Sequence, residues 1–236
     1  GLPELAGPGV AVASAAGVHA AGTAELALTL MLASLRGVDD AVRNAQTGTW
    51  KSRRYRGLAD CRVLMVGVGG IGSAIGRRLE PFEVELTRVG SRARTDQHGK
   101  VHGVDELAEL AAAADVLVVI TPLSEDTRHL IDRDVLAALP DGALVVNVAR
   151  GAVVDTDALT AEVLSGRLSA ALDVVDPEPL PAEHPLWKAP NAIITPHVGG
   201  NTEAFVRRIR KLLREQAGRL ARGEEPVNLV LRGPWA

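Results

Sequence analysis

The run Gly67-Val68-Gly69-Gly70-Ile71-Gly72 stands directly after the apolar segment Arg62–Val66 and opens a segment of helical periodicity at residues 71–79. The first glycine permits a tight turn, the second lets the backbone approach a pyrophosphate, and the third lets helix and strand pack closely. An anion at that place sits on the helix N-terminus, where free N–H groups and the helix dipole favour it. A glycine-rich turn without a ligand is the alternative. The motif alone is weak evidence, but here the strand before it and the helix after it are both in place, and the pattern points to a dinucleotide site.

The alternation continues along the chain. Strand-like runs at residues 84–89, 116–120, 143–146, 170–172 and 192–194 are interleaved with helical patterns at 104–113, 133–139 and 157–164, the last closed by Gly166. Such alternation indicates βαβ units and a parallel sheet. The all-apolar run at 116–120 fits a central strand covered on both faces. The expected fold class is therefore α/β, a Rossmann-type doubly wound parallel sheet.

At the N-terminal side, a turn-rich opening at residues 1–9 leads into a strand-like run at 10–13. Residues 23–47 read as one helix behind a Thr23 N-cap. Leu26, Ala27, Leu28, Leu30, Met31, Leu32 and Leu35 cover most of its circumference. A helix that apolar must be covered on several sides. The expectation is the sheet on one side and a two-fold-related copy of the chain on another, hence a homodimer. A polar linker at 47–56 carries Trp50 and Tyr55. Residues 202–222 read as a long amphipathic helix with Phe205, Ile209, Leu212, Leu213 and Leu220 on its apolar side.

Composition narrows the function classes. A formal net charge of −3 gives no bulk attraction to nucleic acid, and the basic run at 207–214 reads as the solvated face of a helix. Cys61 is alone, which excludes a disulfide framework and a cysteine-rich metal site, so no metal is expected and a reducing interior is the natural compartment. The apolar run at 26–35 is too short to span a bilayer and ends at Arg36. No basic segment precedes it as in a signal peptide. The chain reads as soluble and cytoplasmic, with no membrane partner.

Two further places carry chemistry. Fingerprints of this kind usually place an Asp or Glu about 20 residues on, to bind the ribose 2′-hydroxyl. Here that window reads Arg88-Val89-Gly90-Ser91-Arg92-Ala93-Arg94, with Gly90 where the acid is expected. Ser91, Arg92 and Arg94 offer a hydroxyl and two guanidiniums, which suit a 2′-phosphate; a solvated basic loop is the alternative. The expected cofactor is NADP(H) in preference, with NAD(H) possible. In the second half, Arg150, Glu178 and His197 each follow an apolar run that reads as a strand. Singly these are a surface arginine, a turn glutamate and a loop histidine. Together, at the carboxyl ends of parallel strands where ligands bind, they are a fork for a carboxylate, a proton donor and a carboxylate to hold that donor charged. That equipment suits reduction of the keto group of a 2-oxo acid.

Over most of its length the sequence resembles the D-isomer-specific 2-hydroxyacid dehydrogenase family. The resemblance rests on Thr23-Ala24-Glu25, the glycine motif, Thr121-Pro122-Leu123, Asn147 to Gly151, Asp173 to Pro179, and Pro196-His197-Val198-Gly199-Gly200. It implies that Arg150 holds the substrate carboxylate and keto oxygen, that His197 is the acid/base, and that Glu178 hydrogen-bonds His197. It further implies that Asp173, with the backbone near Val148 and Ala149, fixes the nicotinamide carboxamide. Gly67, Gly69, Gly70, Ile71, Gly72, Thr121, Pro122, Gly199 and Gly200 would lie along the rest of the cofactor, with Arg150 and His197 also in contact with it. The glutamate beside the histidine argues against the formate branch of the family. In domain terms, residues 1–16 read as the end of a smaller flavodoxin-like substrate domain, 17–200 as the dinucleotide-binding domain, and 201–236 as a C-terminal helix returning to the substrate domain. The implied activity is NAD(P)-dependent interconversion of a 2-oxo acid and a D-2-hydroxy acid, as a reductase, in a homodimer formed through the cofactor domain. Two other readings keep the same motifs. One is a non-catalytic, nicotinamide-sensing interaction protein of the corepressor kind; the other is an inert dimerisation scaffold.

Overall fold

The computed structural model describes residues 10–231. The turn-rich opening at 1–9 and the end of the chain at 232–236 lie outside the described residues. In chain order the elements are β1 (Val12–Ala13), α1 (Ala20–Leu35), α2 (Val38–Gln46), β2 (Arg62–Val66), α3 (Gly70–Leu79), β3 (Glu85–Val89), β4 (Arg94–Asp96), β5 (Gly99–Val101), α4 (Leu107–Ala111), β6 (Val116–Val119), α5 (Arg133–Ala138), β7 (Leu144–Asn147), α6 (Thr156–Leu164), β8 (Ser169–Leu172), β9 (Ala192–Ile194), α7 (Glu203–Ala221) and β10 (Leu229–Leu231).

Six of the strands form one parallel sheet in the order β3-β2-β6-β7-β8-β9, as the α/β reading requires. Side chains alternate across a strand, so each apolar strand feeds two cores. Val116 and Val118 join Met65, Leu144 and Val146 on the face covered by α1 and α3. Leu117 and Val119 join Val145, Leu107, Leu136 and Leu159 on the face covered by α4, α5 and α6. The chain runs from β2 outward to β3, then crosses back to β6 on the other side of β2. That reversal of order leaves a crevice beyond the carboxyl ends of β2 and β6, the place where open α/β sheets bind ligands. Aspartates start two of the covering helices: Asp132 accepts from the Val135 amide (2.9 Å) and Asp155 from the Ala158 amide (2.9 Å).

Several elements differ from the sequence expectation. The single helix at 23–47 is two helices, because Gly37 takes a left-handed conformation (φ 60°) between them. The N-terminal cap falls at His19, and Thr23 lies inside α1, buried. The apolar circumference of α1 is covered largely by the chain itself, with α3 on one side and β7, β8 and β9 on another. Only Leu26 and Leu32 of its large apolar side chains stay half-buried. The argument that α1 needs a second copy for its cover is thereby removed. The helix expected at 104–113 is a 3-10 turn at Val104–Glu106 followed by the short α4. The apolar side of α7 has no buried residue; Leu213 and Leu220 are exposed along a groove it forms with Ala13 and Leu229. No helix among the described residues is long and apolar enough to cross a membrane.

The β4–β5 hairpin has no counterpart in the sequence reading. Its register is antiparallel, with Thr95 opposite Lys100. It is fastened to β3 by Arg88, whose buried guanidinium forks onto Asp96 (2.9 and 2.8 Å). Those bonds, then the His98 backbone amide, hold the Asp96 carboxyl down to about 2 from its ordinary 3.8. A carboxyl depressed on folding contributes stability above its unfolded value and loses it as pH falls through the folded one. Thermal melts of Asp96→Asn should therefore lie below wild type at neutral pH and converge with it as the pH approaches 2. A gap in melting temperature that persists unchanged to that pH would contradict the assignment.

Candidate active site

The glycine turn is built as its spacing suggests. Gly67 has φ 119°, and a Cβ there would stand 2.6 Å from the Ile120 carbonyl at the end of β6. A Cβ on Gly72 would stand 2.2 Å from the Gly67 carbonyl oxygen. Between them Gly69 and Gly70 face open space at the start of α3. Gly67 and Gly72 thus let β2, β6 and α3 close up, while Gly69 and Gly70 leave room for an anion at the helix N-terminus. A cleft of about 760 Å³ opens there. Gly69, Gly70, Ile71 and Gly72 form one wall, and Thr121 and Pro122 the adjoining one. Gly67 is the hinge beneath the cleft and does not line it.

The exit of β7 supplies the next side. Asn147, buried, accepts from the Ala149 amide (3.0 Å) and donates to the Arg150 carbonyl (3.1 Å), so one carboxamide folds the Val148-Ala149-Arg150 loop. The Val148 amide is tied to the Val119 carbonyl (3.2 Å), linking this loop to β6. Val148, Ala149 and Arg150 line the cleft. Arg150 donates one N–H to the Ala149 carbonyl (2.6 Å). This is its one hydrogen bond from the guanidinium among the described residues, so the rest of the fork is left for a ligand.

The exits of β8 and β9 bring the remaining groups together. Asp173 is buried, and its carboxylate accepts from the Thr195 hydroxyl (2.6 Å), the Val198 amide (2.9 Å) and the Gly199 amide (2.8 Å). His197 follows, with its Nδ1 2.5 Å from Oε1 of Glu178. Asp173, His197, Gly199 and Gly200 line the cleft; Glu178 does not and reaches it only through His197. With Nδ1 engaged by a carboxylate, Nε2 is the ring nitrogen left for other partners. The arrangement therefore has a carboxylate-backed imidazole and an arginine fork on one cleft with a dinucleotide turn.

Ser91, Arg92 and Arg94 are exposed and stand outside that lining, at the turn from β3 into the hairpin. Arg94 nevertheless occupies the neighbourhood of the missing acid. Its Nη1 lies 2.9 Å from where a Cβ on Gly90 would be, with Val101 and Val68 close by. The sequence reading missed other lining residues: His19, Thr23, Ile120, Leu123, Asn201 and Phe205. His19 stacks on Phe205 (ring centroids 4.8 Å apart), joining the first turn of α1 to the first turn of α7. No pattern in the sequence signals a contact between residues so far apart.

Comparison with known proteins agrees with this geometry. Residues 28–199 match the family profile described as D-isomer specific 2-hydroxyacid dehydrogenase, NAD binding domain. The glyoxylate reductase/hydroxypyruvate reductase of Mus musculus is 36% identical over 209 residues, which is 85% of this chain and 64% of that protein. The D-3-phosphoglycerate dehydrogenase of Methanocaldococcus jannaschii is 32% identical, covering 94% of this chain and 43% of that one. The chain thus spans less than two thirds of the length of these relatives. A D-isomer specific 2-hydroxyacid dehydrogenase from Xanthobacter autotrophicus Py2, solved in complex with NADPH and MES, superposes with a TM-score of 0.80 at 33% identity, covering 95% of this chain and 93% of that one. The cleft at the sheet's switch point, the glycine turn and the matched profile converge on one conclusion: the chain belongs to the D-isomer specific 2-hydroxyacid dehydrogenase family.

Proposed function

We propose that this chain carries the cofactor site and the proton donor of an NAD(P)-dependent reductase that converts a 2-oxo acid to a D-2-hydroxy acid. The observation that carries the reading is the 2.5 Å His197–Glu178 contact at the wall of the same cleft that holds Arg150 and the glycine turn. The residues present fit a dinucleotide, because Gly69 and Gly70 leave space over the start of α3 and two backbone-lined loops face it. When bound, the nicotinamide supplies the hydride. Arg150 forks onto the substrate carboxylate and polarises the keto oxygen. His197 gives its Nε2 proton to that oxygen as negative charge develops, and Glu178 stabilises the imidazolium that donates it. Asp173 and the Val148–Ala149 backbone, which line the cleft, would hold the carboxamide of a bound nicotinamide. The test is the disappearance of reduced cofactor when the intact protein meets glyoxylate, hydroxypyruvate and longer 2-oxo acids.

NADPH is the proposed cofactor. A carboxylate at position 90 would accept from the ribose hydroxyls and repel a 2′-phosphate, whereas Gly90 does neither. Arg94 stands beside it, and Ser91 and Arg92 complete a polar turn that suits phosphate oxygens. Charge-assisted bonds contribute about 1.5–3 kcal/mol each, less on an exposed turn. Even about 1.4 kcal/mol gives a tenfold preference in kcat/KM for NADPH over NADH. Arg92→Ala and Arg94→Ala should erode that ratio. A wild-type preference for NADH, or a ratio unmoved by both variants, would reduce these side chains to a solvated turn.

The proposed assembly is a homodimer through the α2 side of the cofactor domain. With α1 covered internally, the support is the apolar surface that stays exposed beyond it: Val38, Val42 and Trp50, the last 98% exposed. Sedimentation at micromolar concentration should give a dimer, and Trp50→Ser should weaken it. A wild-type monomer would count against this face.

A further inference from the structure

His197 has a φ of 52°, in the left-handed region that favours glycine and that residues with a Cβ occupy uncommonly, so contacts from the surrounding loop hold it there. The restraint comes from one aspartate. The His197 amide donates to the Asp173 carbonyl (2.9 Å) and to the Thr195 carbonyl (3.0 Å). The two amides that follow, Val198 and Gly199, donate to different oxygens of the Asp173 carboxylate, at 2.9 and 2.8 Å. Asp173 is itself fixed to the sheet through its own amide and the Asn147 carbonyl (2.9 Å). The carboxylate can grip both amides only if its plane is set. The shortest bond to it, 2.6 Å, comes from the Thr195 hydroxyl onto Oδ1.

We propose that Thr195 is a positioning residue for His197: its hydroxyl orients the Asp173 carboxylate, which in turn holds the left-handed turn that presents the imidazole to Glu178 and the cleft. This rests on the reductase reading above, in which His197 is the proton donor. Unlike Asp173, Thr195 does not line the cleft. Its removal therefore takes no group out of the cleft and disturbs the acid more than the cofactor, whereas a change at Asp173 would remove a cleft-lining group outright.

The test compares Thr195→Val, nearly isosteric but without the hydroxyl, with Thr195→Ser, which restores it. In Thr195→Val, kcat should fall about 10- to 100-fold, the loss expected when a reacting group is slightly misplaced. The dissociation constant for NADPH, read by its fluorescence, should rise by a clearly smaller factor than kcat falls, because Asp173 stays in the cleft and only its orientation is loosened. Thr195→Ser should recover most of the rate. Should Thr195→Val not fold, Thr195→Ala takes its place. A second readout needs no turnover: proton NMR should show the downfield His197–Glu178 resonance in the wild type and its broadening in Thr195→Val, with faster hydrogen exchange at the Val198 and Gly199 amides. If the wild type reduces no 2-oxo acid, the reductase reading fails, and the resonance and exchange data alone decide whether Thr195 holds the loop. An unchanged resonance and unchanged exchange in the variant overturn the proposal. So does a normal kcat, and so does a kcat loss matched by an equal loss of cofactor affinity.

Discussion

Replacing His197 with alanine is expected to lower the rate of 2-oxo acid reduction by about 10²–10⁴-fold, the usual contribution of a positioned general acid, and to leave NADPH affinity nearly intact. The separation follows from the layout of the cleft. The proposed anion-binding wall is the glycine turn at the start of α3, whereas His197 sits beyond the ends of β8 and β9. Single-turnover oxidation of NADPH and fluorescence titration of the same variant measure the two quantities independently. Near-normal reduction by His197→Ala would remove it from the mechanism. Glu178→Gln should have a smaller effect, because an amide still accepts a hydrogen bond from Nδ1 but no longer places a negative charge beside the imidazolium formed in the reaction. A wild-type rate in that variant would leave Glu178 as a mere hydrogen-bond acceptor.

Gly151→Ala is expected to be nearly as damaging although the residue does not line the cleft. A Cβ there would stand 1.8 Å from the Val175 carbonyl oxygen and 2.6 Å from the Asp176 amide nitrogen. Both obstacles are backbone, so no flexible side chain can move aside. Either the loop carrying Arg150 or the loop leading to Glu178 must shift, and the two are parted in both cases. Overpacking of this kind costs about 1–3 kcal/mol in stability, and a displacement of even an ångström at a reacting group can cost about 100-fold in rate. The expectation is a folded protein with a lowered melting temperature and kcat/KM down by about that factor. A variant with wild-type melting and wild-type turnover would mean that the contact between these loops is not part of the working site.

What the sequence made legible follows from the physics of a covered parallel sheet. Strands such as Val116–Val119 are apolar on both faces and stop abruptly, so Arg150 and His197 stand out as the first chemistry beyond a strand exit. The glycine motif was readable because steric limits at Gly67 and Gly72 leave little choice of residue. Features held by single polar contacts were not readable. The β4–β5 hairpin is short, with Val101 as its one buried apolar residue, and is fastened by Arg88 to Asp96, a pairing that leaves no periodicity. The division of the first helix depended on one left-handed glycine inside an otherwise helical pattern. The cover of α1 by α3, and the approach of His19 to Phe205, arise from tertiary packing between distant segments. Asp173 was read only as a cofactor contact; its grip on the His197 loop depends on backbone amides, which no side-chain pattern reports.

The most direct test of the central claim is a single-turnover reaction of the intact protein loaded with NADPH and mixed with a panel of 2-oxo acids, followed by chiral analysis of the product. A reductase built on Arg150, Glu178 and His197 should consume one equivalent of reduced cofactor per site with at least one of them and yield the D-2-hydroxy acid. Stoichiometric binding of NADPH with no oxidation by any member of the panel, or an L product, would contradict it.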